Sequence, residues 1–317
     1  MNGSPALVTA DLVRTLRHPE APRLTVHEVL AAAMLRSVTV DRSHPHDFAI
    51  ETMAPDEDCV QVKLNAAAVL RRELRRRSWK RSAVAIGTTG LDPYGLLEER
   101  YRLMPGVISA LAEADTPMVV HTGSDLVLRD LSLLRLVRHA VPVTVSLTVP
   151  CLDDDLSRRA DPGGSAPASR IEAVRVLAEA GLEPHVRIAP LLPCLTDATS
   201  ALDELLGRLA NAGAQRVSVS MLQLGAEHDG YLDWLANEHP ALLRRYRSLY
   251  GRGEFVQHDY AVRLRERMTP LVRAHGLESP GGEQSGDERP ADADELRARA
   301  MADAMRENQA EPALTLF

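Results

Sequence analysis

From Ala83 to Asn237 the sequence alternates short apolar runs with amphipathic stretches of helical period, and no other feature constrains the fold as much. Runs at Ala83–Gly87, Met118–His121, Val143–Thr148, His185–Leu191 and Arg216–Leu222 read as strands. Helical patterns near Val107–Ala114, Leu126–His139, Arg170–Ala180, Ala201–Ala212 and Tyr231–Asn237 separate or follow them. Upstream, Cys59–Leu64 alternates like a strand, and Asn65 is a good cap for the arginine-rich helix Ala66–Arg77, which gives six βα units in all. Such alternation with short connections implies parallel strands joined by right-handed crossovers. The class is therefore α/β, and an open doubly wound sheet and an incomplete (βα) barrel both satisfy the pattern.

The ends of the chain read differently. Thr9–Arg17 and Val26–Ser37 carry helical patterns, and TVDRSHPHDF, between Val38 and Phe48, is a short polar loop in which His44 and His46 flank Pro45. Pro240–Tyr250 and Tyr260–His275 add helices after the last strand. Beyond Leu277 the composition shifts to SPGGEQSGDERPADAD, a polar linker that cannot bury a core, followed by a helix-prone segment, Glu295–Glu307. The expected division is a helical extension and polar loop over 1–46, the α/β body over 47–277, and a linker with a short helical tail over 278–317.

Composition narrows the function. Aromatic residues are only 3% of the chain, so its core is built of Leu, Val and Ala, which favours helix-covered α/β architecture over a β-sandwich. A net charge of -7 argues against a surface that binds nucleic acid all over. Three cysteines, Cys59, Cys151 and Cys194, far apart and odd in number, point to a reducing compartment. No run of eighteen apolar residues occurs and the first residues lack a signal pattern, so a soluble, cytoplasmic protein with no membrane contact is expected. No P-loop, dinucleotide fingerprint or nucleophile with an adjacent base is present.

The candidate site lies where strands end. Ala83–Ile86 breaks into a loop released by Gly87 and Gly90 and stopped by Asp92-Pro93, and such loops at the carboxyl ends of parallel strands are where α/β proteins bind ligands. Thr88, Thr89, Asp92 and Tyr94 are its polar residues. His121, Cys151 and Cys194 could in principle ligate zinc, but no pair has local ligand spacing, so ordinary buried cysteines and no metal are expected. Arg71, Arg72, Arg75, Arg76, Arg77, Lys80 and Arg81 crowd one helix and its exit, a patch able to steer a phosphate backbone or simply a solvated outer face.

Four blocks carry a resemblance: HEVLAAAMLRSV (27–38), VKLNAAAVLRRELRRRSWKRSAVAIGT (62–88), DPYGLLEERYRL (92–103) and SRIEAVRVLAEAGLEPHVRIAPLLPCLTD (169–197). In their order the chain resembles an actinobacterial radical SAM protein of the branch that holds spore photoproduct lyase and DNA repair photolyase-like proteins. The resemblance implies a partial (βα)6 TIM-like barrel whose mouth binds S-adenosylmethionine on a [4Fe-4S] cluster held by a CxxxCxxC loop. This sequence has no such loop: only TVDRSHPH stands between the block ending at Val38 and the match resuming at Asp47. Gly123 stands where the family has a lysine, Asp161-Pro162 where it has Glu-Pro, and Cys194 where it has a turn glycine, while Ser146 and Arg170 are retained.

What this implies is a degenerate member without a cluster. Its vestigial pocket would comprise Thr88, Thr89, Asp92, Ser146 and Arg170, with S-adenosylmethionine bound weakly if at all. The expected role is a non-catalytic binding or regulatory protein; the alternatives are an enzyme that keeps S-adenosylmethionine or nucleotide binding without a cluster, and a DNA repair accessory protein. Nucleic acid would be met through Arg71, Arg72, Arg75, Arg76 and Lys80. The tail resembles the sliding-clamp-binding pentapeptide, with Leu314, Leu316 and Phe317 as anchors.

Overall fold

The computed structural model describes residues 65–278 apart from 78, 80, 82, 88–91, 162, 225–227 and 252, together with five strands before residue 65. These are β1 (Arg14–Leu16), β2 (Arg23–His27), β3 (His46–Phe48), β4 (Glu51–Met53) and β5 (Cys59–Lys63). The chain divides after Ser279, and residues 280–317, including the proposed clamp anchors, lie outside the described residues.

Strands β6 (Val84–Ile86), β7 (Met118–Thr122), β8 (Val143–Thr148), β9 (His185–Leu191) and β10 (Arg216–Met221) stand where the hydrophobic pattern puts them. Together with β3 they form one six-stranded sheet in the order β10-β9-β8-β7-β6-β3, parallel throughout. Spatial order follows chain order with no reversal, so right-handed crossovers put every connecting helix on the same face. That is barrel winding; a doubly wound sheet reverses at a switch point. The fold is an α/β partial barrel.

The first strand differs from expectation. β5, which begins at Cys59, lies in a separate four-stranded sheet of order β1-β2-β5-β4, parallel to β2 and antiparallel to β4. The first barrel position belongs to β3, which pairs in parallel with β6 through His46↔Val84 and Phe48↔Ile86. Periodicity could not find it: three residues inside a polar segment carry no period, and the pairing is set by a strand nearly forty residues away. Arg14–Leu16 and Arg23–His27 are likewise antiparallel strands rather than parts of helices, and residues 28–37 lie outside the description.

The connecting helices are α1 (Ala66–Leu74), α2 (Leu96–Tyr101), α3 (Met104–Glu113), α4 (Leu131–Val137), α5 (Asp154–Ala160), α6 (Pro167–Glu179) and α7 (Thr199–Asn211). A 3-10 turn at Asp125–Asp130 precedes α4. In α7, Leu202, Leu205, Leu206 and Leu209 form the buried stripe that an amphipathic helix lays on a sheet. Val145, Leu147, Val186, Ile188 and Val217 face those helices and share one core with them. The alternate residues Ser146, Thr148, His185, Arg187, Ser218 and Ser220 lie on the other side of the pleat, so the barrel interior is polar.

After β10 come α8 (His228–Glu238), α9 (Pro240–Tyr250) and α10 (His258–Ala274). They bury a second core around Tyr231, Leu235, Tyr246, Leu249, Tyr250 and Tyr260, which gathers four of the chain's six tyrosines. Among the described residues no helix is long and apolar enough to cross a membrane.

Candidate functional site

At the carboxyl ends of the barrel strands lies a cavity of about 430 Å³. β6 contributes Gly87 and the following Asp92, β7 the run His121–Gly123, and β8 Thr148 with Asp161 from the connection to β9. β9 and β10 complete the wall with Arg187 and with Ser220 and the following Gln223. His121 Nδ1 and Arg187 Nη1 are 3.5 Å apart. Gly87 has φ +83° because the chain doubles back here: a Cβ would stand 2.6 Å from Pro93 Cδ.

Asp92 fastens the loop to the barrel. Its Oδ1 accepts from the backbone N–H of Tyr94 at 2.8 Å and from the Thr122 hydroxyl at 2.6 Å, while Oδ2 accepts from the Gly123 N–H at 2.6 Å. Burial pushes the Asp92 carboxyl above its ordinary range, these three donors act against it, and the charge of Asp161 adds to the upward shift. Just behind, the Tyr94 hydroxyl donates to Asp130 at 3.1 Å and Arg129 bridges Asp130 and Glu98. Glu98 in turn accepts from the N–H groups of Leu103 and Met104. The block 92–103 thus owes its form to one continuous polar network.

Arg170 sits under the cavity floor with no exposed surface. On α6 it shares the buried stripe of Ala173, Val174 and Leu177, a core position taken by a cation. Its Nε donates to the Ser165 carbonyl at 2.5 Å, and Nη1 donates to the Thr148 carbonyl and to Asp161 Oδ2, both at 2.7 Å. Two glycines make the room. A Cβ on Gly123 would collide with Asp161 Oδ2, and one on Gly164 would collide with Arg170 Nη2. The Asp161 carboxylate therefore fills the space a side chain at 123 would claim.

Of the sequence-derived pocket, Asp92 lines the cavity. Ser146 is fully buried two residues inside β8, its hydroxyl 3.5 Å from His185 Nδ1, and Arg170 meets the cavity through Asp161 and the Thr148 carbonyl. Thr88 and Thr89 lie outside the described residues. Sequence reasoning passed over Arg187, Ser220 and Gln223. The signal was there for the first two, since β9 and β10 alternate polar with apolar residues where a strand buried on both faces would be apolar throughout.

His121, Cys151 and Cys194 do not converge. Cys151 donates its thiol to the Asp153 carbonyl at 3.4 Å, and burial pushes its pKa up to about 11. Cys194 belongs to a different cavity, beside Arg245. Among the described residues no three His, Cys, Asp or Glu side chains are grouped as a metal site.

The basic run lies at the opposite rim. The described residues Arg75, Arg76, Arg77, Trp79 and Arg81 come between α1 and the start of β6, so they stand at the amino ends of the strands, away from the cavity. Trp79 Nε1 donates to Thr116 Oγ1 at 2.9 Å just before β7. Carboxylates answer several of the charges: Arg71 pairs with Glu113 and Arg76 with Glu73, both at 2.8 Å, and Arg81 with Asp115 at 3.4 Å. Lys80 lies outside the described residues.

Strand order and parallel pairing define an α/β partial barrel, and its fold is that of a solved spore photoproduct lyase. A spore photoproduct lyase variant with bound AdoMet and dinucleoside spore photoproduct superposes with a TM-score of 0.60 over 81% of each chain at 15% identity. SuiB of Streptococcus suis aligns with 62% of this chain and 38% of its own, at a TM-score of 0.43. No protein-family model matches the sequence. The chain belongs to the family of the uncharacterized protein Rv2578c of Mycobacterium tuberculosis, with which it is 39% identical over 90% of its own length and 89% of the relative's. The uncharacterized protein MJ0683 of Methanocaldococcus jannaschii is 26% identical over 36% of this chain and 42% of its own.

Proposed function

We propose that this chain is a radical SAM-like protein that has lost its [4Fe-4S] site and binds a small polar ligand in the barrel mouth, as a binding or regulatory protein rather than a radical enzyme. The observation that carries this reading is a retained cavity beside a scattered donor set. A radical SAM cluster takes three converging thiolates. Of the three cysteines here, Cys59 opens a strand of the other sheet, Cys151 is a buried thiol bonded to a carbonyl, and Cys194 lies against an arginine elsewhere. Such a set does not fit the cluster.

The cavity suits a ligand that carries both charges. Arg187 and His121 line one part of the wall, Asp92 and Asp161 another, and Ser220 and Gln223 add uncharged partners. Its volume falls within the range of roughly 300–1,000 Å³ typical of small-molecule pockets. S-adenosylmethionine, with an amine, a carboxylate and a sulfonium, is the candidate the fold suggests. Without a cluster at its amino-acid end its affinity is low, because a charge-assisted hydrogen bond is worth about 1.5–3 kcal/mol and that end of the molecule goes without its metal anchor.

Mass spectrometry of small molecules that co-purify with the protein, followed by calorimetric titration of those found and of S-adenosylmethionine, tests the reading. A mouth ligand should bind at least about tenfold more weakly to Arg187→Ala, which corresponds to about 1.4 kcal/mol. Equal binding to Arg187→Ala removes the mouth as the site, and tight binding of S-adenosylmethionine would return the protein to the enzymes.

A further inference from the structure

A second cavity, of about 610 Å³, opens past the carboxyl end of β9, between the turn at 192–197 and helices α9 and α10. Three guanidinium groups line it: Arg245 from α9, and Arg263 and Arg267 from α10. The last two are four residues apart, on the helix face that also carries Tyr260. Two carboxylates, Asp197 and Glu266, stand against the three cations.

Asp197 is already committed. It accepts from the Cys194 N–H at 2.8 Å, from the Tyr260 hydroxyl, and from Arg267 Nη2 at 3.3 Å. Arg245 makes one hydrogen bond among the described residues, from Nε to Cys194 Sγ at 3.0 Å, and a thiol sulfur is a weak acceptor. Arg263 makes no hydrogen bond or ion pair among the described residues. Each guanidinium carries five donors, so a concave wall here presents many N–H groups to few acceptors. On α1 and just after it the opposite holds, since Arg71 and Arg76 each face a carboxylate.

An acceptor-rich anion answers this arrangement. Guanidinium forks match tetrahedral oxyanions bidentately, and three of them on two helices and facing one space can share the oxygens of a phosphoryl group where a planar carboxylate offers only two. We infer that this second cavity is a binding site for a phosphate ester, held by Arg245, Arg263 and Arg267. The group comes either from a free phosphorylated metabolite or from the backbone of a single nucleic-acid strand. The inference is independent of what the barrel mouth binds.

Cys194, half-buried in the cavity wall, is a built-in reporter. The full-length protein is alkylated with iodoacetamide, and Cys194 modification is followed by peptide mass spectrometry at constant ionic strength. The probes are inorganic pyrophosphate, adenosine monophosphate and a short single-stranded oligonucleotide, each against sodium chloride. A bound phosphoryl group should slow alkylation of Cys194 at least fivefold and leave Cys151 unchanged. Protection should vanish in Arg263→Ala, an exposed position where circular dichroism should match wild type. Because Arg245→Ala alters the surroundings of the sulfur, that variant is read as the ratio of rates with and without probe, expected to fall to one. Protection by pyrophosphate or the mononucleotide assigns a free phosphate ester, and protection by the oligonucleotide alone assigns a nucleic-acid backbone. Rates unchanged by all three probes, or protection that survives in Arg263→Ala and Arg245→Ala alike, overturns the inference.

Discussion

Replacing Arg170 with methionine keeps an unbranched apolar stem and removes the guanidinium and its charge from a fully buried position. The Asp161 carboxylate, 27% exposed, loses its cation, and the carbonyls of Thr148 and Ser165 lose their donors. Breaking a buried pair by deleting one partner costs about 3–5 kcal/mol, and the partial exposure of Asp161 places this case near about 3 kcal/mol. In a body of this size each kcal/mol moves the melting temperature by about 2–4 °C, so a fall of roughly 6–12 °C is expected. Arg175→Met is the control: it lies on the same helix and pairs with Glu172 and Glu179, but at the surface, where ion pairs contribute little. Its melting temperature should equal wild type. The double variant Arg170→Met, Asp161→Asn should lose less than the two single losses together, because neither charge is then stranded. Differential scanning calorimetry of wild type, Arg170→Met, Asp161→Asn, the double variant and Arg175→Met decides, and an Arg170→Met loss no larger than that of Arg175→Met would refute the ion-pair account of the cavity floor.

Other expectations follow from the same geometry. Gly123→Ala drives a methyl group against the Asp161 carboxylate and should cost about 1–3 kcal/mol in urea unfolding, whereas Gly163→Ala, with nothing within 4 Å of the added carbon, should be close to neutral. Cys151, with its pKa pushed up to about 11 by burial, should be about one part in a thousand thiolate at pH 8, with alkylation rising until about pH 11; a plateau below pH 9 would contradict its burial. Because the folded value lies above the unfolded one of about 9, the stability Cys151 contributes is complete below pH 9 and is lost as the pH climbs through 11.

The parallel body was legible because β6 to β10 are apolar or alternating runs of a length that periodicity detects, each followed by a stretch of helical period. β3 was not: its three residues owe their state to a register with β6 that no local pattern encodes. Cys59–Lys63 was read rightly as a strand and placed in the wrong sheet, since alternation tells that a strand has two faces and not which neighbours it takes. The loop at Asp92 was visible through Gly87 and Asp92-Pro93. Its attachment to Thr122 and Gly123 was not, because the hydrogen bonds span about thirty residues of sequence. The same holds at Gly123, where the sequence suggested a lost lysine and the structure has an aspartate carboxylate in its room. Arg170 could have been assigned to the core from its spacing with Ala173, Val174 and Leu177, but its partners come from two segments, the end of β8 and the connection between α5 and α6.

The absence of a radical SAM cluster is the central claim, and iron loading tests it most directly. The protein is reconstituted anaerobically with ferrous iron and sulfide, desalted, and assayed for bound iron per chain. The scattered cysteines predict sub-stoichiometric iron that is unchanged in a variant with Cys59, Cys151 and Cys194 all replaced by alanine. About four irons per chain, lost in that variant, would mean that the three thiols meet after all and would contradict the account.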